Sequence, residues 1–111
     1  MIYSNGRKLF GFYLRSCYEP NLCVEERENE RVKQDSVARE LFERRLPSLE
    51  FWCATTQAKD IYTGETFQAG IYEDGPFTFT MDFVRYYNRE LTELPEEYKE
   101  YLFDLEEQGL L

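Results

Sequence analysis

Residues Phe77–Phe83 read Phe-Thr-Phe-Thr-Met-Asp-Phe, apolar at every odd position and polar at every even one. Strict period-two alternation marks a β-strand with one buried face. A slip of one residue would place three Phe and one Met in water, so the register of this segment is tightly constrained. The rest of the chain is expected to pair with this segment or pack on it.

Two further strands lead into it. Leu49–Thr55 carries Phe51 and Cys53 on one face and Trp52 and Ala54 on the other, which predicts a central strand or one covered by a helix. Tyr62-Thr63-Gly64-Glu65 is a turn, and Thr66–Tyr72 is the next strand. Glu73-Asp74-Gly75-Pro76 turns into the alternating segment, with both acids read as turn residues. Short connections of this kind predict an antiparallel meander. At the start of the chain, Met1–Ser4 followed by Asn5-Gly6 has the form of a strand entering a type I′ hairpin. Arg7–Cys17 would return from it as a strand. Leu9, Tyr13 and Cys17 also share a helical face, but aromatic density and Gly11 favour the strand. Glu19-Pro20-Asn21 breaks the element.

Two amphipathic helices are legible. Val37, Ala38, Leu41, Phe42 and Leu46 fall on one face, Asp35 or Ser36 can cap the start, and Pro47 stops it, giving a helix over 35–46. The preceding Glu25–Gln34 mixes charges of both signs around a lone Val32, as a solvated helical extension or a loop would. Val84–Leu91 fits a short helix or a continuation of the strand as far as Tyr87. Pro95, Glu96 and Glu97 suit a helix start and Gly109 a stop, giving a helix over 95–108 with Tyr98, Tyr101, Leu102 and Leu105 as its apolar stripe. Residues 1–111 therefore read as a single small α+β domain: an antiparallel meander of about four or five strands packed by two or three helices. Its expected core joins Phe77, Phe79 and Met81 to Leu41, Phe42, Leu102 and Leu105.

Composition excludes several chemistries. The chain has no His, which removes Ser-His-Asp and Cys-His catalysis and every His-containing zinc site. Cys17, Cys23 and Cys53 are an odd number with no C-x-x-C pair, so three reduced thiols are expected, with no disulfide and no metal. Cys53 has no local base to make it a thiolate and is expected in the core. The six glycines are scattered, and no phosphate-binding glycine pattern can be written from them. No cofactor is implied. The early apolar run Leu9–Leu14 is too short to span a membrane and no secretory pattern is visible, so a cytoplasmic protein is expected.

Charge gives the functional lead. Residues 1–50 balance nine acids against nine bases, whereas residues 51–111 hold thirteen acids and four bases and carry the whole net charge of −9. Such a half argues against nucleic acid or an anionic membrane as a direct partner and suits a basic protein. Glu96, Glu100, Asp104 and Glu107 recur on one face of the last helix, flanked by Glu93, Glu97 and Glu106. The candidate partner-binding residues are Glu93, Glu96, Glu97, Glu100, Asp104 and Glu107. The expected function is non-enzymatic: an acidic interaction protein that inhibits a partner by occupying its basic, nucleic-acid-binding surface, as in phage or mobile-element anti-defence. The plainer alternative is a solvated face. Two other readings compete: an immunity- or antitoxin-like protein that binds through aromatic hot spots such as Tyr62 and Tyr86, and a small-ligand or carboxylate-based enzyme domain. The acids are too numerous for the sequence to single out a catalytic pair.

Overall fold

A computed structural model of the chain describes residues 2–4, 6–10, 31–60 and 64–111. Strands β1 (Ile2–Ser4) and β2 (Arg7–Phe10) form the expected hairpin, with Ser4 opposite Arg7 across Asn5-Gly6. Gly6 takes φ +77°, the left-handed geometry that such a turn demands. Helix α1 (Ser36–Arg45) begins where the Asp35 carboxylate accepts the backbone N–H groups of Val37 and Ala38, at 3.0 and 3.1 Å. Those donors lack intrahelical partners, so the cap removes their desolvation cost. A 3-10 turn over Leu46–Ser48, containing Pro47, closes the helix. Strands β3 (Phe51–Lys59), β4 (Thr66–Asp74) and β5 (Phe77–Thr80) follow, then helices α2 (Met81–Asn88) and α3 (Glu96–Glu107).

The sheet is mixed rather than purely antiparallel, with strand order β1-β2-β5-β4-β3. β3, β4 and β5 make the expected meander. The N-terminal hairpin then joins its far side in parallel, pairing Lys8 with Phe77, Leu9 with Thr78 and Phe10 with Phe79. The Lys8 N–H donates to the Pro76 carbonyl at 2.8 Å, which starts the junction. Register then lines up Phe10, Phe79, Tyr72 and Phe51 on one face across four strands. Successive ring centroids lie 5.2, 5.3 and 5.0 Å apart. Cross-strand aromatic pairs of this kind stabilise a sheet beyond the area they bury.

Helices α1 and α3 pack on this ladder. Phe42 of α1 sits 5.5 Å from Phe79, and Tyr98 of α3 lies 5.1, 5.2 and 5.7 Å from Phe10, Phe77 and Phe79. Phe77, Phe79, Leu41, Phe42 and Leu102 occupy the core as expected. Met81 is half-buried and packs against that cluster, and Leu105 is half-buried outside it.

Two expectations about strands are corrected. The alternating segment is not one strand through Phe83: β5 ends at Thr80, whose Oγ1 accepts the Phe83 N–H at 3.2 Å and caps α2. Phe83 is buried from a helix, in the first turn of α2, and residues 84–88 continue that helix rather than the strand. β3 is neither central nor covered. It is the last strand of the described sheet, Trp52 is 54% exposed, and Cys53 is an exposed free thiol rather than a core residue. The β3–β4 register shifts between Cys53 and Gln57. Cys17, Cys23, the strand reading beyond Phe10 and the turn at Tyr62-Thr63 lie outside the described residues. No helix among the described residues is long and apolar enough to cross a membrane.

Candidate functional site

The acidic face of α3 owes its position to the opposite face of the same helix. Tyr98 and Leu102 are fully buried, and at 3.6 residues per turn this turns Glu96, Glu100 and Glu107 outward. Glu96, Glu97, Glu100, Asp104, Glu106 and Glu107 are all exposed. Glu96 and Glu97 occupy the first turn, where the positive end of the helix dipole stabilises them.

Ion pairing divides the acids into two sets. Glu97 pairs with Lys8 of β2, Glu106 with Arg44 of α1 at 3.2 Å, and Glu96 with Lys99 at 3.5 Å. Glu100, Asp104 and Glu107 have no cationic partner among the described residues. Glu93 departs from the expected set. It is half-buried ahead of the helix, its carboxylate accepts the N–H groups of Asp35 and Leu94 at 2.7 Å each, and it pairs with Lys99 at 3.4 Å. It braces the start of α1 against the entry to α3. Burial alone would lower the Lys99 pKa, but the Glu93 and Glu96 carboxylates outweigh it and hold the ammonium above its ordinary value. The acidic surface therefore centres on Glu100, Asp104 and Glu107. Phe103, 38% exposed, lies within it, one helical turn from Glu100 and from Glu107.

Sequence reasoning missed two buried carboxylates. Asp74 has no exposed side-chain surface, and Arg45 grips it with Nη2 at 2.8 Å and Nε at 3.2 Å from Oδ1. The Tyr98 hydroxyl donates to Oδ2 at 2.6 Å and the Tyr101 hydroxyl to Oδ1 at 3.2 Å. Burial, then the Asp74 carboxylate, pushes both phenols above their ordinary pKa. The hydrogen bonds from Arg45 to Asp74 raise the guanidinium pKa against the opposing effect of burial. Gly75 completes the arrangement: its φ is +56°, and a Cβ there would collide with the Tyr101 hydroxyl. The available signal was parity. Asp74 is two residues past Tyr72 on the same strand, so it points to the same, inner face.

Asp60 is equally buried. Arg85 of α2 and Arg89, the residue at its C-terminal cap, reach it at 3.2 and 3.4 Å, and Arg85 also pairs with Glu65 at 3.0 Å and lies 4.6 Å over the Phe67 ring. This cluster ties the ends of β3 and β4 to α2. Both buried carboxylates are thus engaged by arginine, an arrangement that holds elements together. Among the described residues no group of three or more His, Cys, Asp or Glu is placed to hold a metal ion.

The aromatic alternative changes its residues. Tyr86 is 1% exposed and cannot serve as a surface hot spot, because it belongs to the buried side of α2. Tyr62 lies outside the described residues. Among the described residues, Trp52 on β3 and Phe103 on α3 are the exposed aromatic side chains. No protein-family model, curated protein or solved structure matches the chain.

Proposed function

We propose that this chain is a non-enzymatic binding protein that sets the outer face of α3 against a basic surface of another protein, and so blocks that surface to nucleic acid. The observation that carries the reading is the exposed trio Glu100, Asp104 and Glu107, without cationic partners among the described residues, on a helix whose other face is locked into the core. The charge count supports it, since residues 51–111 hold thirteen acids against four bases. Attraction between such a face and a basic groove speeds association and fixes orientation. An inhibitor acting in phage or mobile-element anti-defence would work in this way.

Charge density limits what α3 does alone. Four acids from Glu96 to Glu107 span about 16 Å, roughly one charge per 5 Å, against one per about 1.7 Å of duplex DNA. The helix is therefore a partial substitute for a nucleic-acid backbone, and apolar contact has to add to it. Phe103 sits where that contact would form, ringed by charge as interface hot spots are ringed by polar groups.

Capture from the native host followed by mass spectrometry identifies the partner. The triple change Glu96→Lys, Glu100→Lys and Asp104→Lys then reverses three charges while sparing the Tyr98 and Leu102 side of the helix. The variant is expected to fold normally and to bind at least about tenfold more weakly at low salt. The difference should shrink as ionic strength rises towards about 1 M, where the Debye length falls to about 3 Å. Unchanged affinity at low salt would reject the acidic-face reading. Exposed Trp52 supports a second reading, in which the partner is held by aromatic contact on β3. Loss of binding in Trp52→Ala, with little dependence on salt, would select it.

A further inference from the structure

We draw no further inference here: the strongest candidate, the outer side of strand β3 with its exposed Trp52 and Cys53, carries nothing because nothing in the structure shows what covers it.

Discussion

Asp74 shows how much a single buried carboxylate can organise. It receives Arg45 from α1 and two hydroxyls from α3, at the end of β4. Asp74→Ala strands a half-buried guanidinium and two phenols at once. Breaking a buried pair from one side costs about 3–5 kcal/mol, so urea denaturation should show a loss in that range. A loss under about 1 kcal/mol would mean that the three partners find other acceptors. Tyr87 presents the opposite case. Its hydroxyl is buried with no hydrogen-bond partner among the described residues, while its ring packs on Phe42 and Phe83 under the Arg39 guanidinium. Tyr87→Phe keeps the ring contacts and removes the unsatisfied group, and is expected to stabilise the fold by about 1 kcal/mol at pH 7.

The same residue gives a pH test. Burial raises the Tyr87 and Tyr98 pKa values above the ordinary 10.0, so the folded state holds these protons more tightly than the unfolded chain. Their contribution is fully present below about pH 10 and is lost as pH rises through 10 towards the folded values. Once the unfolded phenol is fully ionised, each steepens that loss by about 1.4 kcal/mol per pH unit. Between about pH 9 and 11, where the unfolded phenol passes from mostly protonated to mostly ionised, stability should therefore fall by about 1.4 kcal/mol less in Tyr87→Phe. An unchanged slope would place the titrating phenols elsewhere.

At the scale of elements, the passage from β5 to α2 turns on Thr80. The residue ends a strand and caps a helix, and at 7% exposure its hydroxyl satisfies the Phe83 N–H where water has little access. Thr80→Ala should cost about 1–2 kcal/mol and Thr80→Ser much less, since Ser keeps the acceptor. Equal losses for the two would point to the methyl group rather than the cap. Alternation through Phe83 was compatible with both structures, because Phe79 and Phe83 are four apart and share a face in a helix as well as in a strand. Only the cap at Thr80 distinguishes them. The bounds of α1 and α3 were more legible: Asp35, Pro47, Pro95 and Gly109 act within one turn of the chain they delimit. Trp52 and Cys53 were not legible, because a strand with two apolar faces looks the same whether or not another strand lies beyond it.

Across the whole molecule, Phe79 is where the sheet and both packed helices meet. It is fully buried and contacts the rings of Phe10, Phe42, Tyr72, Phe83 and Tyr98. Phe79→Ala opens a cavity among side chains from β2, β4, α1, α2 and α3, which cannot all close over it, and should cost about 3–5 kcal/mol. A loss below about 1 kcal/mol in denaturant titration would place this ring outside the cooperative core.

The sequence by itself determined the α+β class, the two amphipathic helices with their ends, the β3–β4–β5 meander, most of the core, and the placement of the whole −9 in residues 51–111. Each rests on periodicity, capping or charge, which act between neighbours along the chain or simply add up. Tertiary structure alone decided the rest. It inserted β2 beside β5 in parallel, joining Phe10 to Phe79 across a separation that no local pattern encodes. It made buried ties of Asp74, which the sequence reads as a turn residue, and of Asp60, by bringing arginines to them from helices distant in the chain. It also divided the acids near and on α3, pairing Glu97 and Glu106 across elements, drawing Glu93 inward, and leaving Glu100, Asp104 and Glu107 facing out. Whether a charge is exposed, paired or buried depends on which distant segment folds against it.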